Sequence, residues 1–92
     1  MYTRGGIVGR LLEELVTREG IESRTIKVAA ETREDFTVHV EESGQQFRFV
    51  LDGPQMTETE CQGYLNAVRS LEPFPRYLVA SGSLPPVVPD DF

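Results

Sequence analysis

Apolar residues recur along the chain with two different periods. Between Ile7 and Arg18, Val8, Leu11, Leu12, Leu15 and Val16 fall at helical spacing, with Arg10, Glu13, Glu14 and Arg18 between them. That pattern predicts an amphipathic helix with one buried face, stopped at Gly20, which tolerates a left-handed C-terminal cap. The period then changes to two. Thr25-Ile26-Lys27-Val28 opens a strand reaching about Ala30. Phe36, Val38 and Val40 alternate with Thr37, His39 and Glu41, and Phe47 and Phe49 alternate with Arg48 and Val50. These predict strands over about 36–41 and 46–51, each with one apolar face. The helical period returns with Cys61, Leu65 and Val68, flanked by Tyr64 and Leu71, in a helix over about 58–71. Thr57-Glu58-Thr59-Glu60 reads as its capping box, and Glu72-Pro73-Phe74-Pro75 ends it. Tyr77 to Ala80 is a short apolar run without alternation, the pattern of a strand covered on both faces.

Ser43-Gly44 between the two middle strands predicts a two-residue hairpin loop, since glycine accepts positive φ. The implied register sets Val40 opposite Phe47, Val38 opposite Phe49 and His39 opposite Arg48, with both apolar sets on one side. Residues 81–92 carry three prolines and no periodicity, and read as a proline-rich tail. Together these elements predict one α+β domain over residues 1–92.

Composition narrows the function. Hydrophobic residues make up 39% and charged residues 26%, as in an ordinary globular chain. The net charge of −6 argues against nucleic acid as the main partner, because phosphate backbones need a cationic face. A small phosphate ligand needs only two or three local arginines. No apolar run is long enough for a membrane span, and no signal-peptide core follows Met1. The single cysteine, Cys61, excludes an internal disulfide and fits a cytoplasmic protein. It reads as a small buried hydrophobe on the second helix.

Few residues offer chemistry. Arg33 and Arg48 carry planar donor forks suited to phosphate or carboxylate. From the pattern alone, each reads first as a surface arginine paired with Glu31 or Glu41 across the hairpin. His39 reads as a surface strand residue, and no substrate hydroxyl is indicated for it as a base. Ser81-Gly82-Ser83 follows the last apolar run, where small residues let a ligand approach the backbone; a plain strand-to-loop turn is the alternative. Gly5-Gly6-x-x-Gly9 is too short for a phosphate loop and reads as a tight turn into the first helix. No GxGxxG, Walker-type or metal-ligand spacing is present.

In order along the chain, Gly5-Gly6-Ile7-Val8-Gly9, Glu19-Gly20-Ile21, Thr32-Arg33, Thr37-Val38-His39-Val40-Glu41, Phe47-Arg48-Phe49-Val50 and Ser81-Gly82-Ser83-Leu84-Pro85-Pro86 resemble the ribokinase-like (PfkB-type) sugar kinases. The resemblance runs from about Gly5 to Phe92. It is strongest to the phosphofructokinase branch, which includes the minor 6-phosphofructokinases, 1-phosphofructokinase and tagatose-6-phosphate kinase. It implies part of a ribokinase-like α/β fold, in which the middle strands form a β-sheet lid beside two helices and one core strand. It also implies a sugar phosphate such as fructose-6-phosphate as ligand, held by Arg33, Arg48 and Ser83, and a homodimer through the lid strands. The full-length family uses ATP and Mg. The resemblance puts no catalytic, cofactor or metal residue in this chain, because the Gly-Ala-Gly-Asp block, the upstream Gly-Gly-x-x-Asn block and the nucleotide-binding region have no counterpart. Three positions depart from the family pattern: Asp35 for Asn, Asp52 for Pro and Val87 for Gly.

The resulting expectation is a piece of a phosphofructokinase-like kinase, either an excised domain or a truncated product. It would be inactive alone and respond weakly or not at all to ATP. The competing expectation is a stand-alone α+β module that oligomerises through exposed strands and binds no sugar.

Overall fold

A computed structural model describes residues 1–92. The element order is β1 (Tyr2–Arg4), α1 (Gly6–Arg18), β2 (Thr25–Lys27), β3 (Asp35–His39), β4 (Gln46–Val50) and α2 (Glu58–Arg69). They make a mixed α+β structure with two separate two-stranded sheets. β1 and β2 pair in parallel, Thr3 opposite Ile26, with α1 as the crossover that a parallel pair requires. β3 and β4 form the antiparallel hairpin.

β1 is an addition to the sequence reading. Three residues at the start of the chain are too few to show alternation. Its partner, β2, is shorter than the expected strand to Ala30 and ends at Lys27. Beyond it, Val28 N–H still donates to the Arg4 carbonyl at 2.9 Å. The chain then turns to meet the start of α1.

That meeting is tight. Gly5 N–H donates to Thr32 Oγ1 at 2.9 Å, and Thr32 N–H returns a bond to the Gly5 carbonyl at 3.1 Å. Gly5 and Gly9 are both buried. No side chain of its own caps α1. Glu31 reaches in from the turn instead, its Oε1 accepting from Val8 N–H at 2.9 Å. A carboxylate there satisfies a free amide and complements the positive end of the helix dipole.

α2 is capped as its sequence predicts: Thr57 accepts from Glu60 N–H, and Glu60 reaches back to Thr57 N–H. Glu60 also accepts from Ala29 N–H at 2.8 Å, which ties the helix start to the end of β2. The backbone amides of Thr57 and then Ala29 hold its carboxyl below the ordinary value of 4.5, because both bonds favour the charged form.

The hairpin keeps the expected faces with a different register. Val38 pairs with Phe47, Phe36 with Phe49, Thr37 with Arg48 and His39 with Gln46. The predicted pairings of Val38 with Phe49, Val40 with Phe47 and His39 with Arg48 are therefore displaced by two residues. The loop explains this. A two-residue type I′ turn would force Ser43 as well as Gly44 to positive φ, but only Gly44 takes it, at 70°. The chain makes a four-residue loop instead, with Val40 N–H donating to the Gln45 carbonyl at 2.8 Å and Gly44 N–H to Val40 at 2.9 Å. A shift of two preserves the side-chain alternation, so the apolar set stays together. Phe36 and Phe49 stack with centroids 4.9 Å apart.

Tyr77 to Ala80 forms no strand. Val79 is 84% exposed and Tyr77 80%. A strand of this kind needs a partner on its edges, and no strand of this structure pairs with the run. The same shortage of neighbours leaves Leu11 and Leu15 of α1 exposed, against expectation, while Val8, Leu12 and Val16 are half-buried. The buried apolar core is Val28, Met56 and Val88, with Cys61 and Phe92 packed partly against it. The radius of gyration is 15.9 Å, against roughly 12 Å for a compact chain of this length.

Candidate functional site

Four separate stretches converge on one cleft. Thr3 comes from β1, Thr32 and Arg33 from the turn after β2, Gly53 and Pro54 from the segment after β4, and Ser83, Leu84 and Pro85 from the segment beyond α2. The cleft holds about 240 Å³. Its lining offers one cation, several hydroxyls and no carboxylate. The bonds between Gly5 and Thr32 fix the position of Arg33, the next residue. Ser83 follows Gly82, whose φ of 101° lies where only glycine is at ease.

Two of the three expected ligand-binding residues, Arg33 and Ser83, thus meet in space from positions fifty residues apart. Arg48 does not line the cleft. It sits in the middle of β4 opposite Thr37, on the face of the hairpin away from Phe47 and Phe49 by strand alternation. His39, paired with Gln46, is likewise exposed on the hairpin and outside the cleft.

Sequence reasoning missed Thr3, Gly53 and Pro54. Gly53-Pro54 was readable only as a sheet breaker, and Thr3 carries no local signal. It also missed what Arg33 touches. Its Nε lies 3.6 Å from Asp35 Oδ1, and the two side chains are 38% and 28% exposed. The same carboxylate oxygen accepts from Leu51 N–H at 3.2 Å, closing the open end of the hairpin. The partners expected for a surface Arg33, Glu31 and Glu41, are not the ones used.

A wider groove runs between α2 and the tail, with Met56, Cys61, Leu65 and Phe92 among its walls and Glu58 and Asp91 at its margin. It has no cation, so it does not suit an anion. No helix is long and apolar enough to cross a membrane. No cluster of three His, Cys, Asp or Glu side chains could hold a metal ion.

Val87, in the same loop as Ser83, has φ 63°. A β-branched residue is strained there; the left-handed conformation costs an L-residue about 1–2 kcal/mol. Its neighbour Val88 is buried in the core, so the turn at Val87 is what carries Val88 inward. Val87→Gly should raise stability by about 1 kcal/mol after the added freedom of the unfolded chain is subtracted. A denaturant melt checks this, and an unchanged or lower midpoint would remove the strain argument.

Comparison with known proteins gives a consistent result. No family model matches the chain. The chain is 41% identical over 92 residues to ATP-dependent 6-phosphofructokinase isozyme 2 of Mycobacterium tuberculosis, covering 100% of this chain and 27% of that protein. It is 38% identical over 88 residues to the enzyme of the same description from Escherichia coli, covering 96% of this chain and 28% of that one. It therefore spans just over a quarter of the length of these curated relatives. Among solved structures, a mutant of E. coli phosphofructokinase-2 superposes with a TM-score of 0.79 at 36% identity, over 95% of this chain and 28% of the other. The complex of that enzyme with fructose-6-phosphate superposes with a TM-score of 0.68 at 33% identity, over 75% and 23%. Its tetrameric inhibited form gives 0.65 at 35%, over 72% and 22%.

Proposed function

The chain belongs, over the segment it spans, to the PfkB-type sugar kinases, and on that premise we propose that it is the part of a phosphofructokinase-like kinase that grips the substrate's phosphate. The observation that carries this reading is the convergence of Arg33 and Ser83 on one cleft. A dianionic phosphate there would take charge-assisted bonds from the guanidinium and a hydroxyl bond from Ser83. The volume, near the lower end for small-molecule sites, suits a phosphate with part of a sugar. Fructose-6-phosphate is the favoured ligand, since a similar enzyme has been solved with it.

ATP and Mg do not fit the residues present. The cleft has a single cation and no carboxylate, and a nucleotide–metal site needs both charge types in place. The phosphoryl-transfer step is therefore assigned outside these 92 residues, and this polypeptide alone should transfer no phosphate.

Arg48 has a different part. It projects from the hairpin away from the apolar face, where it can close over a phosphate of its own subunit or of a neighbour. The opposite face, with Phe36, Val38, Phe47 and Phe49 each 44–50% exposed, supports a homodimer through the hairpins. The same exposed face supports the rival reading, an oligomerisation module without sugar binding.

Calorimetric titration with fructose-6-phosphate separates the two. Saturable binding should appear in the full 92-residue chain and weaken at least tenfold in Arg33→Ala, in line with the loss of a charge-assisted contact. An assembled chain that binds no sugar phosphate would favour the module.

A further inference from the structure

We propose that Asp35 is a built-in brake on anion binding at the Arg33 cleft. This rests on the reading of the cleft given above. Arg33 is the one cation lining the cleft, and it already has a carboxylate for company. Asp35 Oδ1 lies 3.6 Å from Arg33 Nε, beyond an ordinary hydrogen bond but well inside the range where charges act on one another. The pair is only partly exposed, so solvent weakens the interaction without abolishing it.

The consequence for a ligand follows from the charges. A phosphate that binds Arg33 must either displace Asp35 or accept a negative charge beside it. Both lower its affinity. Asp35 cannot simply swing away, because the same Oδ1 accepts from Leu51 N–H at 3.2 Å, and Asp35 pairs with Val50 as the first residue of β3. The carboxylate is fixed by the hairpin rather than by the arginine. Its position therefore depends on where the hairpin sits, and any movement of the hairpin base carries the brake toward or away from Arg33. Asp35 is a positioning residue here: it sets the field at Arg33 and need not touch the ligand.

Asparagine separates the two functions of this side chain. Its Oδ1 can still accept from Leu51 N–H, so the hairpin stays closed, while the negative charge is gone. The experiment titrates inorganic phosphate and fructose-6-phosphate into wild type, Asp35→Asn, Arg33→Ala and the Asp35→Asn/Arg33→Ala double variant, with circular dichroism confirming equal folding. Asp35→Asn should tighten both ligands about fivefold, the effect of removing one partly exposed charge, and the double variant should lose this gain. Arg33-dependent binding that is unchanged or weaker in Asp35→Asn would overturn the assignment of Asp35 while leaving the cleft in place. The absence of Arg33-dependent binding in every variant would overturn the reading of the cleft, and the brake with it. If Asp35→Asn unfolds the chain, Asp35→Ser, which also retains an acceptor without charge, takes its place under the same criteria.

Discussion

Phe47→Glu should convert the proposed hairpin dimer into a monomer at tens of micromolar protein, with the association weakened at least 100-fold. Phe47 faces Val38 across the hairpin and is 50% exposed. Next to that pair, Phe36 and Phe49 stack with their outer surfaces uncovered. A two-fold contact between hairpins would bring this patch against itself, so each substitution acts twice in one interface. A stable interface of this kind buries about 800 Å² per partner. A carboxylate at its centre loses its water without gaining a cation, a cost of several kcal/mol per ion. Arg48 cannot compensate, because it lies on the other face. Light scattering coupled to gel filtration reads the result. A wild-type monomer at that concentration, or an undisturbed dimer in Phe47→Glu, would rule out the hairpin as the contact.

The largest effect on stability should come from Gly5→Ala. A Cβ built at Gly5 would lie 1.7 Å from the Ala30 carbonyl oxygen and 3.0 Å from that of Val28. Both obstacles are backbone, so no side chain can rotate out of the way. Relief requires the start of α1 to move off the turn after β2. That movement would break the two bonds between Gly5 and Thr32 and pull Glu31 from Val8. Overpacking alone typically costs 1–3 kcal/mol, and the lost bonds put the expected total at about 3 kcal/mol or more. For a chain with only five buried residues, a loss of this size approaches the whole margin of a small domain. A urea melt followed by circular dichroism should show a much lower midpoint or no folded baseline. Gly63→Ala is the control: nothing lies within 4 Å of its new methyl, and alanine favours the helix interior. Similar destabilisation of both variants would mean that the contact at Gly5 is not the cause.

Features decided within a few residues were legible in the sequence. The capping box of α2 is one, since Thr57 and Glu60 need only each other. The hairpin faces are another, since alternation alone puts Phe36, Val38, Phe47 and Phe49 together. The register was not legible, because it depends on whether Ser43 takes positive φ, and period-two patterns are blind to a shift of two. Nor was the fate of Tyr77 to Ala80, where an apolar run needs strands beside it to become one. In the cleft, the residue types of Arg33 and Ser83 could be read, but their meeting depends on the whole path of the chain. Asp35 was visible as an unusual residue two positions from Arg33. Its hold on Leu51, and hence its fixed place beside the arginine, is a product of the hairpin closure.

Glu31 gives the start of α1 an unusual relation to its ionic surroundings. The exposed amides of a helix start commonly attract free phosphate, sulfate or a carboxylate. In this chain a tethered carboxylate occupies part of that seat, on Val8 N–H. Glu31 thus competes with outside anions for the amide of Val8 at the glycine-rich entry to the helix. Competition between sulfate and a sugar phosphate should accordingly follow a single-site isotherm, with a stoichiometry of one per chain set by the Arg33 cleft.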